Sequence, residues 1–169
     1  MSVELRPAEP ADLAQVAAIF GHYVRTSCAT FEEVVPEVTA WTTKLDEARG
    51  RGWPFLVAAD VERVRGFARC APWRPPAAYL HTAEESIYLA PGDTGRGLGT
   101  RLLTRLLEEA ARAGIHQLLA VIADTGDPAS MQLHERLGFA RVGLLRRVGL
   151  KQGRWLDTAI YQRELAALI

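Results

Sequence analysis

The hydrophobic positions of this chain change period several times, and each change marks an element. "SVELRPA" alternates and stops at Pro7, which predicts an opening strand. "EPADLAQVAAIFGHYVRTS" then places Leu13, Val16, Phe20 and Tyr23 on one helical face, with Pro10 and Asp12 as start signals. A loop through Phe31 and Pro36 follows. Val38, Trp41, Leu45 and Ala48 mark a second amphipathic helix that runs out near Gly50 and Gly52. "PFLVAADVERVRGFARCAPW" reads as a hairpin, with strands near Phe55 to Ala59 and Val64 to Ala71 around a polar turn, and "AEESIYLAP" is a further strand ended by Pro91.

The clearest element comes next. Leu102 and Leu103, Leu106 and Leu107, and Ala110 and Ala111 stack one turn apart, Arg101, Arg105, Glu108 and Arg112 take the opposite face, and Gly114 supplies the stop. "HQLLAVIAD" is apolar enough to predict a strand buried on both faces. "DPASMQLHERLGF" predicts a short helix between Pro128 and Gly138, and the remainder a final strand pair joined around Gly153. No repeat, low-complexity segment or linker interrupts this order, so residues 1–169 read as a single domain. The expected fold class is α/β (α+β), with a mixed, largely antiparallel central sheet and helices on both faces.

Composition narrows the function. At 169 residues, 49% hydrophobic and 24% charged, the chain suits one domain with a full core. Twenty Lys and Arg balance 20 Asp and Glu, so no global field points to nucleic acid or an anionic membrane, and any anion site must be built locally. Glu4, Glu9 and Asp12 stand where a signal peptide needs a basic and then an apolar run, which predicts a soluble, cytoplasmic protein. Cys28 and Cys70 lie far apart in apolar surroundings, so buried thiols are expected rather than a disulfide or a metal site.

The candidate chemistry starts in "APGDTGRGLGTRLL". Gly95, Gly97 and Gly99 precede the strong helix and clear side chains from the backbone, so an anion can reach the N–H groups and the positive end of the helix dipole. A phosphate is the expected guest. The loop lacks the Lys of a Walker sequence, since Thr100 directly follows Gly99, and antiparallel hairpin strands rather than a strand-helix-strand series precede it, unlike a dinucleotide fold. Taken alone, such glycines could equally be a turn that caps a helix.

The order of elements around "TGRGLG" and "LHERLGF" resembles the GCN5-related N-acetyltransferases. Gly97 and Gly99 match that family's loop, while Thr94 stands where a Gln or Arg is usual, which shifts anion binding onto backbone N–H groups. The resemblance implies the fold of that family and acetyl-CoA as the acetyl donor, with its pyrophosphate on Gly95, Arg96, Gly97, Leu98, Gly99 and Thr100, and with Arg96 and Arg101 near the outer phosphates. Over nearly the whole chain, "FLVA", "WRPP", "ESIYL", "LHERLGF" and "GRWLD" are similar to the phosphinothricin and methionine sulfoximine N-acetyltransferase subgroup, which acetylates the α-amine of glutamate-like amino acids.

That likeness assigns expected roles. Attack by an amine needs a proton acceptor, and Glu84 and Glu85 are the candidates; neighbours on a strand face opposite sides, and the subgroup's glutamate aligns with Glu84, which shares a face with Ser86 and Tyr88. Solvated strand-start charges are the plainer reading of both. Backbone N–H groups around Ile87, Tyr88 and Leu89 are expected to polarise the thioester. His134 matches the position from which many family members protonate or hydrogen-bond the departing sulfur, and a His that merely fixes the core is the alternative. Asp127 stands where the subgroup usually has an Asn beside the pantetheine arm; a carboxylate accepts but does not donate. Arg74, in "WRPP" with Pro75 and Pro76, suits a substrate carboxylate or phosphinate, and Phe31 and Trp73 are candidate pocket walls. In "GRWLD", Gly153 is read as a turn and Trp155 as a packing residue, with Asp157 unassigned. A homodimer is implied, with Trp73 and Trp155 as aromatic anchors.

Overall fold

A computed structural model describes residues 2–165. Strands β1 (Glu4–Pro7), β2 (Phe55–Ala59), β3 (Val64–Pro72), β4 (Thr82–Leu89), β5 (Gln117–Ala123), β6 (Ala140–Lys151) and β7 (Arg154–Glu164) alternate with helices α1 (Leu13–Thr26), α2 (Val38–Arg51), α3 (Leu98–Arg112) and α4 (Ala129–Arg136). The strands form one seven-stranded sheet in the order β1-β2-β3-β4-β5-β7-β6. Every neighbouring pair is antiparallel except β4 and β5, which are parallel. The expected mixed, largely antiparallel sheet is therefore present. Among the described residues no helix is long and apolar enough to cross a membrane.

Alternation along the strands divides the core in two. Phe55 and Val57 of β2, Phe67 of β3 and Tyr88 of β4 pack under α1 and α2, beside Val16, Phe20, Trp41 and Leu45. Leu56, Ala58, Ala68, Cys70 and Ala83 pack on the other face against Leu102, Leu103, Leu106 and Ala110 of α3. Each of those leucines is fully buried, which contributes about 1.5–3 kcal/mol per side chain. On the α1/α2 face the aromatics meet edge to face, Phe20 with Trp41 at 5.3 Å and Trp41 with Phe67 at 5.2 Å, while Phe67 stacks on Tyr88 at 5.6 Å. Both cysteines are buried and free, as expected.

Two expectations change. β5 is buried on both faces only through Leu118, Leu119 and Ala120; Val121 is exposed. The reason is that β4 and β5 pair only at Thr82–Gln117, Ala83–Leu118 and Glu84–Leu119, after which the two strands run on apart. Trp155 is 55% exposed rather than packed, with the Arg147 guanidinium 5.9 Å from its ring centroid. Asp157 gains a role: its carboxylate accepts the N–H of Arg147 at 2.8 Å, holding a left-handed residue (φ 51°) within the irregular stretch of β6 between Leu145 and Gly149.

Candidate active site

The fork between β4 and β5 organises the site. Ala90 donates its N–H to the Arg65 carbonyl of β3 at 2.8 Å. Backbone groups of an antiparallel pair alternate in direction, so the amides of Leu89 and Ile87 turn away from β3 and into the gap. With β5 diverging there, these N–H groups have no ladder partner among the described residues and face the space where an acyl oxygen can sit. Tyr23, read from sequence only as a helix-face residue, donates its hydroxyl to the Leu89 carbonyl at 2.6 Å and fixes the strand end from α1.

The glycine loop lies beyond the same strand. Gly95 and Gly97 have positive φ, 74° and 78°, and a Cβ at either would meet nothing within 4 Å. The space over the backbone is open, and Gly97 caps α3, whose first-turn N–H groups point outward. Gly99 lies against Leu89 and Leu133, joining the loop to β4 and α4. Arg65 anchors the approach to the loop: it bonds Asp60 at 2.6 Å and reaches Asp93 at 3.5 Å, while Arg63 meets Asp93 at 2.9 Å. The N–H groups of Arg63 and Glu62, with Arg65, hold the Asp60 carboxyl at about 2. A cavity of about 420 Å³ beside the loop is lined by Arg65, Arg96, Leu98 and Arg101 and, on the side of the Asp60–Arg65–Asp93 ion pairs, by Asp60, Glu62, Asp93 and Val3. Arg101 also donates to the Val3 carbonyl at 3.0 Å. An open glycine cradle, a helix N-terminus and exposed arginines fit a pyrophosphate.

The two glutamates separate as the strand period requires. Register places Ala71 opposite Glu84, Arg69 opposite Ser86 and Phe67 opposite Tyr88, so these six side chains share the α1/α2 face. Glu84 is half-buried in the last β4 residue pair before the fork. Burial, and then the charge of Glu85, push its carboxyl above the usual carboxylate range, against the opposing pull of Arg69 and Arg74. A carboxylate shifted in this direction is a better proton acceptor.

Glu85 faces α3 and α4 and is 5% exposed. Its Oε1 lies 2.8 Å from His134 Nε2, and His134 Nδ1 lies 2.7 Å from the Ser130 carbonyl. A carbonyl only accepts, so Nδ1 carries a hydrogen. Burial works to lower the His134 pKa, but the hydrogen bond and charge of Glu85, with the Ser130 carbonyl, outweigh it and favour the imidazolium. Both ring nitrogens are thus engaged, and the side chain is 1% exposed, so the geometry matches the core-fixing alternative more closely than a free proton donor to sulfur. The Glu85 to His134 contact spans 49 residues and was invisible in local pattern.

The remaining expected residues are spread around the fork. Asp127 is exposed and accepts the Ala129 N–H at 3.0 Å, which closes a turn just ahead of α4. Arg74 is exposed, its guanidinium 5.1 Å from the centroid of the half-buried Trp73, and Pro75 and Pro76 continue that exposed turn. Phe31 lies across Gly149 of β6, where a Cβ would fall 2.3 Å from the ring. Next to it the buried Lys151 donates to the Thr30 carbonyl at 2.7 Å, so the loop before α2 is tied to the far hairpin. Arg69 of β3 and Lys44 of α2 are also on the Glu84 side and were not read from sequence. A larger cavity, about 670 Å³, lies between the later turns of α3, the end of α4 and β7, away from all these residues.

A sheet forked at its one parallel pair, with unpaired amides in the gap and an anion-receiving loop beside it, is the architecture of an acyltransferase that works from a phosphorylated thioester carrier. The chain belongs to the GNAT acetyltransferase family, whose model matches residues 20–139. It is 40% identical to phosphinothricin N-acetyltransferase of Alcaligenes faecalis over 92% of this chain and 79% of that protein. It is 37% identical to the L-methionine sulfoximine/L-methionine sulfone acetyltransferase of Pseudomonas paraeruginosa over 98% of this chain and 96% of that one. Among solved structures, the yncA acetyltransferase of Salmonella typhimurium, determined with its cofactor acetyl-CoA, superimposes with a TM-score of 0.94 at 33% identity, covering 98% of this chain and 95% of that chain.

Proposed function

We propose that this enzyme moves the acetyl group of acetyl-CoA directly onto the α-amine of a small amino acid or glutamate-like analogue, of which phosphinothricin and methionine sulfoximine are the models. The observation that carries this reading is Glu84: a half-buried carboxylate, raised in pKa by burial, at the fork where β4 amides are unpaired, with Arg69 and Arg74 within reach of its charge. The α-ammonium first passes one proton to Glu84, directly or through one water; the neutral nitrogen then attacks the thioester carbon, the N–C bond forms, the C–S bond breaks, and the nitrogen's second proton leaves to water. The Ile87 and Leu89 N–H groups hold the developing oxyanion. Gly95 to Thr100 seat the pyrophosphate, with Arg96 and Arg101 beside it, and the Tyr88 and Ser86 side chains line the amine's side of the strand. With both His134 nitrogens engaged, the thiolate takes its proton from water, and the Glu85–His134 pair keeps α4 against β4.

The active form is a homodimer through the β6 side of the sheet. β6 is a twelve-residue edge strand, and Val142, Leu144, Leu145, Val148 and Leu150, with Trp155 of β7, are between 38% and 55% exposed. A long apolar edge of this kind calls for a partner.

A thiol-release assay with acetyl-CoA against methionine sulfoximine, phosphinothricin, the common amino acids and several polyamines tests the function. Turnover with α-amino acids is expected. Turnover confined to polyamines, or acetyl-CoA binding without turnover on any amine, overturns it.

A further inference from the structure

Within an antiparallel pair the N–H and C=O of one residue point the same way. Ala90 bonds Arg65 of β3 and Leu89 stands opposite Gly66, so the N–H and the C=O of Leu89 both face the gap that β5 leaves. The two groups are treated differently. The carbonyl accepts the Tyr23 hydroxyl at 2.6 Å, while the amide has no partner among the described residues. Tyr23 thus stands where a β5 amide would otherwise bond Leu89. It is held there at both ends: its own carbonyl accepts the N–H and the hydroxyl of Ser27 at 3.1 and 3.2 Å where α1 ends, and its ring lies 5.3 Å from that of Tyr88. Burial pushes the phenol pKa up, so the hydroxyl keeps its hydrogen. A bare carbonyl beside an oxyanion donor would set its lone pairs against the developing negative charge, whereas one that is bonded to a phenol hydrogen has that charge offset.

We infer that Tyr23 is a positioning residue for acetyl transfer: by covering the Leu89 carbonyl it keeps the Leu89 amide turned into the gap and presents this end of the fork to the thioester oxygen as a donor alone. This rests on the reading of Leu89 as an oxyanion donor given above. Tyr23 does not supply the proton for the departing sulfur. A phenol raised above its ordinary pKa of about 10 is a weaker acid than a thiol of about 8.5.

Tyr23→Phe keeps the ring and removes the hydroxyl. With methionine sulfoximine as the amine, kcat is expected to fall about tenfold, less than the roughly 10²–10³ lost with an oxyanion donor itself, while KM for acetyl-CoA holds. Infrared difference spectra of the enzyme with acetyl-CoA carrying carbon-13 at the acetyl carbonyl read the polarisation directly and need no amine. The thioester stretch on the wild-type enzyme should lie below that of free acetyl-CoA, and on Tyr23→Phe it should move back toward the free value. Thr26→Val removes another α1 hydroxyl, exposed and bonded to the His22 carbonyl of its own helix, and should change neither reading. Spectra taken well below the melting temperature keep the comparison valid for a variant of lower stability. A wild-type kcat in Tyr23→Phe, or a lowered kcat with an unmoved stretch, overturns the positioning role and leaves the Leu89 amide in place as oxyanion donor. A wild-type stretch equal to that of free acetyl-CoA overturns both.

Discussion

Replacing Glu84 by Gln keeps the side chain's size and removes its basicity, so the change isolates proton transfer from packing. General bases contribute about 10²–10⁴ in rate, or roughly 3–5 kcal/mol of barrier. The geometry supports a value within that range, because burial and the charge of Glu85 lift the Glu84 carboxyl toward the pH at which the enzyme works. We expect kcat for the amino acid to fall at least a hundredfold. KM for acetyl-CoA should stay constant, since the glycine loop lies beyond the far end of β4. KM for an anionic amino acid should hold or fall, because Arg69 and Arg74 lose a competing negative charge. If Glu84 instead oriented the ammonium, ground and transition states would weaken together and KM would rise with kcat little changed. Steady-state kinetics by thiol release across pH separate the two. The variant's rate should climb about tenfold per pH unit below the substrate amine's pKa, as solvent supplies neutral amine, whereas the wild-type rate should already level above the Glu84 pKa. Near-normal kcat in a folded Glu84→Gln enzyme, or a raised KM with unchanged kcat, refutes the proton-acceptor assignment.

Removing Arg69 takes away a charge that holds Glu84 down, so the acid limb of the kcat/KM profile should move to higher pH in Arg69→Gln; an unmoved limb means Glu84 does not control it. Gly97→Ala puts a Cβ where φ is 78°, at about 1–2 kcal/mol of backbone strain, and into the open space over the loop; calorimetry should show weaker acetyl-CoA binding, and unchanged affinity rejects that loop as the pyrophosphate seat. His134→Gln breaks a buried pair and should lower stability by about 3–5 kcal/mol. Because the folded His134 pKa is raised, the pair's contribution is fully present below about pH 6.5, the unfolded value, and is lost as pH rises through the folded one, so the melting-temperature gap from wild type should narrow at alkaline pH. Leu150→Glu should halve the mass seen by light scattering without unfolding the chain, since Leu150 is 53% exposed in the single subunit; a dimer that persists moves the interface elsewhere.

Helix α3 and its glycines were legible because everything they need is local: a 3.6-residue apolar stripe, small residues before it and Gly114 after it. The opposite facing of Glu84 and Glu85 was legible for the same reason, since alternation is a property of one strand. Tertiary structure alone decided what each carboxylate meets. His134 comes to Glu85 from 49 residues away, Tyr23 to the Leu89 carbonyl from 66, and Arg69 stands across from Ser86 only through the β3–β4 register. The exposure of Val121, expected inside, and of Trp155, read both as a packing residue and as a dimer anchor, depends on where β5 leaves β4 and on β6 being an edge, and neither fact is written in a local period. Periodicity reports which way a side chain points from its own element, because that follows from backbone geometry within a few residues. The partner it finds there, the charge it feels and the water it loses depend on chain segments brought together by long-range packing, and those set the chemistry of this site.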